Sequence, residues 1–269
     1  MIMRRGGRAA GFAAGATVTR ACLAALRAKP PGGRARWARV NYAGRTVGLL
    51  AGPATAVGAA FAAARVRPAA GLAVAAAGAC GTYDDLAGAT DPRRGFRAHL
   101  GALREGQVTS GAVKLFGITA AGLVAGALIK ERPLDKVLAG VVIAGTAHFV
   151  NLVDVRPGRA AGAVLALGVP GVLRGGPAGE LSAGALGAVA AVLADDLGER
   201  AMLGDAGAHA LGAALGAAIA LGNGRPGLTA HAAALVAAAA FGERISAAAV
   251  ALGRPGGTSL ACGEGNREA

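Results

Sequence analysis

The chain has 269 residues, of which 54% are hydrophobic and 16% are charged, and its formal net charge is +13. Ordinary soluble domains carry about a quarter charged residues, so this composition argues against one, as does the mean hydropathy of +0.50. Cys22, Cys80 and Cys262 are too far apart for a zinc motif or a disulfide framework.

Apolar runs of roughly membrane-spanning length, about 17–25 residues with some shorter, follow one another along the chain. They lie near residues 9–28, 47–64, 68–83, 111–129, 137–153, 160–173, 180–194, 206–222 and 228–249. The runs are apolar all round, as expected of helices in lipid, whereas a soluble Ala-rich bundle would need polar stripes. We therefore predict an all-α polytopic membrane protein with about nine to ten transmembrane helices, and abundant Gly and Ala predict close helix packing.

The predicted organisation is one integral membrane domain over residues 1–252, embedded in the lipid bilayer. Residues 253–269 are polar and Gly-rich, so we predict a disordered tail. The sequence leaves the oligomeric state open, with a homodimer among the alternatives.

Basic residues concentrate in alternate loops. If residues 27–45 are cytoplasmic, alternation places residues 84–110, 154–159 and 195–205 on the same side. These four loops carry thirteen Lys and Arg, against seven in the opposite loops, as the positive-inside rule predicts. Arg4, Arg5 and Arg8 would then lie outside, against the rule. Because the basic residues lie between apolar runs, we expect a membrane surface and no nucleic acid as their partner.

Acidic motifs recur in these same loops. They are "YDDL" with Asp84 and Asp85, "NLVD" with Asn151 and Asp154, and "LGDAG" with Asp205, preceded by Asp196. Carboxylates gathered at one membrane face repel each other, and Mg²⁺ relieves such repulsion by binding one or two carboxylates together with substrate phosphates. Basic side chains nearby could hold phosphate oxygens; these are Arg93, Arg94, Arg97, Lys114, Arg156 and Arg159.

Each motif also has an ordinary structural explanation. The Asp84–Asp85 pair could be a solvated helix cap, and Asn151 could bond Asp154 across one helical turn. Asp205 could be the N-cap of the next helix. Lys114 could extend along apolar surface to water, and His209, on the same helical face as Asp205, could pack or contact phosphate.

The sequence resembles the polyprenyl-phosphate phosphoglycosyltransferase family in the order of four motifs. These are "DDL", the Lys of "GAVKLFG", "NLVD" and "MLGDAGAHALGAALG". That family includes phospho-MurNAc-pentapeptide translocase and the UDP-GlcNAc:undecaprenyl-phosphate transferases. The resemblance covers residues 41 to about 246, with "NYAGR" (residues 41–45) in the place of the family's early cytoplasmic loop. It implies a bacterial cytoplasmic-membrane enzyme of cell-envelope glycan synthesis. The implied reaction is Mg²⁺-dependent transfer of a sugar phosphate from a nucleotide-sugar, typically a UDP-sugar, to a polyprenyl phosphate, with release of nucleoside monophosphate.

The resemblance also implies roles for individual residues. Asp84 and Asp85 would lie beside the lipid phosphate, with one accepting its proton, and Asp154 would join Asp205 at the metal and diphosphate. Phosphate would be held by Lys114, Asn151, Arg156 and Arg159. Further candidates are Asn41, Asp196 and His209.

The sequence departs from the family pattern in several places. "NLVDVRPGRA" stands where the family continues as "GLDGLA", Met202 and Leu203 replace an aromatic before "GD", and the late His-rich loop is missing. The nucleotide and sugar therefore stay open. The alternative function is a non-catalytic membrane scaffold or small transporter derived from the family.

Overall fold

The structure is a computed structural model that describes residues 3–88 and 101–252, with side chains from Gly6 onward. It is 82% helical and 3% strand, so the predicted all-α class is confirmed. Arg93, Arg94 and Arg97, as well as the tail predicted to be disordered, lie outside the described residues.

The helices follow the predicted apolar runs. Their bounds are α1 Met3–Ala28, α2 Ala51–Val66, α3 Pro68–Ala87, α4 Ser110–Ile129, α5 Pro133–Val153, α6 Arg159–Arg174, α7 Gly176–Leu197, α8 Gly204–Gly222, α9 Arg225–Ala240 and α10 Gly242–Ala251. Between α1 and α2, a 3₁₀ turn at Arg34–Trp37 precedes a short antiparallel hairpin of β1 (Ala38–Val40) and β2 (Thr46–Gly48).

Several helices are long and apolar enough to cross a membrane, so the protein is a multi-pass membrane protein. In the described part of the chain there are five: residues 6–28 of α1, then α4, α5, α7 and α8. There are six if α9 and α10, bent by 81°, form one broken span. The sequence predicted about nine to ten, which is more than this test of length and composition supports. Helices α2 and α6 have 16 residues each, about 24 Å, which is less than the roughly 30 Å hydrocarbon core.

Helix α8 lies at the centre of the bundle. Fifteen of its nineteen residues are buried, and it packs against α2, α3, α5 and α7. A Cβ atom on Gly212 would lie 2.5 Å from Ala147 Cα, and one on Gly216 would lie 2.6 Å from Ile143 Cα, both on α5. The predicted close approach of small residues is therefore confirmed.

The loops predicted on one side of the membrane meet at one end of the bundle. Arg27 pairs with Asp195 at 2.7 Å, and the Gly158 amide donates to Asp196 at 2.7 Å. The loop around residue 200 also joins the hairpin, because the Met202 amide donates to the Gly48 carbonyl at 3.1 Å. We call this the acidic end of the bundle.

The remaining loops meet at the opposite end. Arg8 of α1 donates to the Val172 carbonyl at 2.7 Å, Arg225 pairs with Asp135 at 2.7 Å, and Lys130 donates to the Asn223 carbonyl at 2.8 Å. The alternation of loops that the sequence predicted therefore agrees with the contacts, including the position of Arg8 away from the acidic end.

Candidate functional site

Three helices bring one lysine between two carboxylates at the acidic end. The Lys114 ammonium, on α4, lies 2.5 Å from Asp84 Oδ2 at the end of α3 and also pairs with Asp205 at the start of α8. The three side chains are 16–24% exposed. Lys114 therefore does not extend to water, and Asp84 is not a freely solvated cap.

Asp85 caps the start of α8, at Asp205, which lies 120 residues later in the chain. Its two carboxylate oxygens accept hydrogen bonds from the backbone amides of Asp205 and Ala206, each at 3.0 Å. The first amides of a helix have no partner within it, and the helix dipole favours a negative charge there. Leu203, the N-cap residue of α8, makes no side-chain cap bond. The alternative that Asp205 caps its own helix is therefore wrong.

Two glycines allow α3 and α8 to approach so closely. A Cβ atom on Gly81 would lie 2.5 Å from the Asp205 carbonyl carbon, and one on Gly204 would lie 3.0 Å from both Asp85 carboxylate oxygens. Gly204 also has φ +56°, which favours glycine. The glycine of "GD" in the "LGDAG" motif is therefore required because a side chain at residue 204 would collide with Asp85.

Asp154 extends the negative charge of the site. It follows the last residue of α5, and its amide donates to the Asn151 carbonyl at 3.2 Å. Burial raises the pKa of Asp154 well above its usual value, and the charges of Asp196, Asp205 and Asp85 raise it further. Among the described residues, no cation or hydrogen-bond donor pairs with its carboxylate.

Asp196 lies close enough to Asp154 for the two carboxylates to interact through their charges. It is 7% exposed, and its carboxylate accepts the Gly158 amide in the loop that follows Asp154. The structure therefore places this candidate beside the "NLVD" motif and holds it there with a backbone hydrogen bond.

The carboxylates do not form a complete metal site by themselves. In the described ranges, no group of three or more His, Cys, Asp or Glu side chains is arranged to hold a metal ion. The donors are nevertheless carboxylate oxygens, which suit Mg²⁺ when substrate phosphates complete its coordination. In the described structure Asp154 has no paired cation, whereas Asp205 is already paired with Lys114, so the metal role of these two residues stays a prediction.

Three of the predicted phosphate-binding residues lie in the last turn of α5 and in residues 154–159 that follow it. Arg156 lies over the ring of Tyr42, with 4.9 Å between its guanidinium carbon and the ring centroid. Arg159 has a buried Nε without a hydrogen-bond partner in the described structure. Asn151 contributes its backbone carbonyl to the end of α5. A buried guanidinium nitrogen without a partner is costly and is suited to an anionic ligand.

Two of the further candidates are occupied by structural contacts. Asn41 donates to Glu199 at 2.7 Å and accepts the amides of Ala43 and Arg45, so it shapes the hairpin turn. His209 is 2% exposed and its Nδ1 donates to the Asp205 carbonyl at 2.7 Å. His209 does share a helical face with Asp205, as predicted, but its Nδ1 bonds the backbone.

Sequence reasoning did not single out Arg39, and it named Glu199 only as a member of the acidic stretch "ADDLGE" that precedes "LGDAG". Arg39 donates to the Asp85 carbonyl at 2.5 Å and links β1 to the end of α3. Glu199 accepts from Asn41 and lies 3.3 Å from the Arg45 guanidinium. Arg39 is one of six basic residues in its loop, and nothing in the sequence distinguishes the one that reaches Asp85.

Comparisons with protein-family models, with curated proteins and with solved structures gave no match to this chain. Fold and site together define a multi-pass, all-α membrane protein with a cluster of carboxylates and one shared lysine at one end of its helices.

Proposed function

We propose that the protein is a Mg²⁺-dependent phosphoglycosyltransferase. It would transfer a sugar phosphate from a UDP-sugar to a polyprenyl phosphate at a bacterial cytoplasmic membrane and release UMP, as a step of cell-envelope glycan synthesis. The observation that carries this proposal is that Asp84, Lys114 and Asp205 meet from three helices. The negative charge of Asp205 also acts on Asp154. These are the residues in which the sequence resembles that family.

The charges at the acidic end suit phosphate chemistry. Transfer of a phosphoryl group requires mainly positioning and neutralisation of charge. Lys114 supplies positive charge between the carboxylates. Arg156 and Arg159 follow Asp154 in the chain, and the buried Nε of Arg159 has no partner in the described structure. When bound, Mg²⁺ would neutralise charge on the diphosphate, held by Asp154 and Asp205.

The contacts distinguish the two neighbouring aspartates. Both oxygens of Asp85 accept backbone amides of α8, whereas Asp84 is bonded by side chains alone, those of Lys114, Asp205 and Ser110. When Lys114 turns to a phosphate oxygen, Asp84 loses its ion pair and becomes more basic. We therefore assign proton acceptance from the lipid phosphate to Asp84, and positioning of α8 to Asp85.

The position of the cluster suits one substrate from the membrane and one from water. Asp84, Lys114 and Asp205 lie at the ends of helices, two of which are long enough to cross a membrane. The phosphate of a prenyl lipid lies at that level, where a soluble nucleotide-sugar also arrives. An in-line attack of the lipid phosphate on the diphosphate then needs no movement across the bilayer.

The test uses the full chain in nanodiscs with undecaprenyl phosphate, Mg²⁺ and a panel of UDP-sugars. We expect UMP release that EDTA abolishes, and we expect Asp84→Asn and Asp154→Asn to lose at least about a hundredfold in rate. The matched control is Asp135→Asn, which removes a carboxylate at the opposite end and should keep activity. A chain that neither releases UMP nor binds Mg²⁺ or nucleotide would overturn the proposal.

The second candidate is a non-catalytic scaffold or a small transporter. Two observations favour it: Lys114 already neutralises two carboxylates, and α9 and α10 form a pair bent by 81°. Broken helices are a feature of transporter binding sites. Transport or partner binding that survives Asp84→Asn and Asp154→Asn, without nucleotide binding, would support this function instead.

A further inference from the structure

A second feature of the acidic end is a cavity of about 420 Å³. It lies between the end of α1, the hairpin, the start of α2 and the loop around residue 200. Three arginines line it, Arg27, Arg34 and Arg200, and apolar side chains, among them Leu23 and Leu50, form part of its wall. None of its lining residues is among the candidate site residues described above.

The cavity carries a surplus of positive charge. Asp195 pairs with Arg27 at 2.7 Å and with Arg200 at 2.9 Å, so two guanidinium groups share one carboxylate. No acidic side chain in the described ranges pairs with Arg34. Two positive charges are therefore left for a ligand, and arginine binds phosphate oxygens in a bidentate manner.

The position and the apolar wall favour a lipid. Leu23 and Arg27 belong to the last turns of α1, a helix long and apolar enough to cross a membrane, so the cavity opens at the level of lipid head groups. Trp37 is 7% exposed and its indole nitrogen donates to the Pro31 carbonyl at 2.7 Å. Its ring therefore offers little surface on which a nucleotide base could stack.

We propose that this cavity binds the phosphate head group of an anionic membrane phospholipid. Arg34 holds the phosphate together with Arg27 and Arg200, whose charges Asp195 neutralises only in part, and Leu50 contacts the first methylene groups. Bound lipid joins α1, the hairpin and the loop around residue 200. This site does not depend on the proposed transferase activity.

The test compares lipids added to the delipidated full chain in detergent. We expect phosphatidylglycerol to raise the melting temperature and to be retained in native mass spectra, and phosphatidylcholine to do neither. Arg34→Gln should weaken retention on the order of tenfold. Arg34 is exposed, so this change should leave the fold intact.

The matched control is Arg65→Gln, an exposed arginine near the end of α2 away from the hairpin, which should retain phosphatidylglycerol like the wild type. Equal stabilisation by phosphatidylcholine, or equal retention by Arg34→Gln, would overturn the proposal. Stabilisation by inorganic phosphate or UMP without phosphatidylglycerol would overturn it as well, because it would assign the cavity to a soluble anion.

Discussion

The ammonium nitrogen of Lys114 lies 2.5 Å from Asp84 Oδ2. The same ammonium pairs with Asp205, which is 91 residues away in the chain. One cation is thus shared by two carboxylates from different helices, all three largely shielded from water. Any ligand that takes Lys114 leaves two neighbouring carboxylates without a cation, so binding of an anion and of a divalent cation should be coupled.

Replacing Lys114 tests this coupling. Lys114→Met should lower stability by about 3 kcal/mol, because removing one partner of a buried ion pair leaves uncompensated charge. Mg²⁺ should then raise the melting temperature of the variant more than that of the wild type, since two carboxylates become free to bind it. The control is Lys29→Met, at an exposed position, which should match the wild type. An unchanged melting temperature in Lys114→Met would show that the ion pairs contribute little.

Asp85 should behave differently from Asp84 in stability measurements. Asp85→Ala removes both acceptors at the start of α8 and should cost about 1–2 kcal/mol, as for other lost helix caps. Asp84→Ala removes the hydrogen bonds of Asp84 with Lys114, Asp205 and Ser110, but it leaves Lys114 paired with Asp205 and the bonds of Asp85 to α8 in place, so we expect the smaller loss. Thermal unfolding in detergent measures both changes. A greater loss in Asp84→Ala than in Asp85→Ala would contradict the assignment of Asp85 as the cap.

Much of the fold could be predicted from the sequence because the apolar runs are continuous. Each run predicts a helix, and successive helices that cross in opposite directions place alternate loops at the two ends of the bundle. The contact of Arg8 at one end and of Asp195 at the other agrees with this grouping. The number of spans could not be read from apolarity alone, since α2 and α6 are apolar but short.

The contacts within the site could only partly be predicted. That the acidic motifs meet follows from the alternation of loops. The binding of Asp85 to backbone amides, and of Lys114 to two carboxylates, depends on where α3, α4 and α8 cross. That crossing is set by close approach at Gly81, and a contact between residues 120 positions apart has no local signature in the sequence.

The pH dependence of stability should report on Asp154. Its pKa is raised in the folded protein, chiefly by burial, so above the unfolded value of about 3.9 the folded state holds more protons than the unfolded state. Stability should therefore fall as pH rises through that window. Asp154→Asn removes this loss.

In EDTA, the Asp154→Asn variant should equal the wild type at about pH 4 and exceed it in melting temperature at about pH 8. Mg²⁺ at the higher pH should stabilise the wild type and not the variant. The control is Asp135→Asn at the opposite end, where no such crossover is expected. Parallel profiles of Asp154→Asn and the wild type would show that the Asp154 carboxylate is not held in an unfavourable environment.

Helix packing around α8 can be tested with one substitution at two glycines. Gly212→Ala places a methyl group 2.5 Å from Ala147 Cα and from the Thr146 carbonyl oxygen, and backbone atoms cannot move aside. We expect a loss of about 1–3 kcal/mol. At Gly162 in α6, no atom lies within 4 Å of the position that a methyl group would take, so Gly162→Ala should gain about 0.5–1 kcal/mol. Thermal unfolding of both variants in one detergent gives the comparison, and a gain in Gly212→Ala would show that α5 and α8 lie further apart.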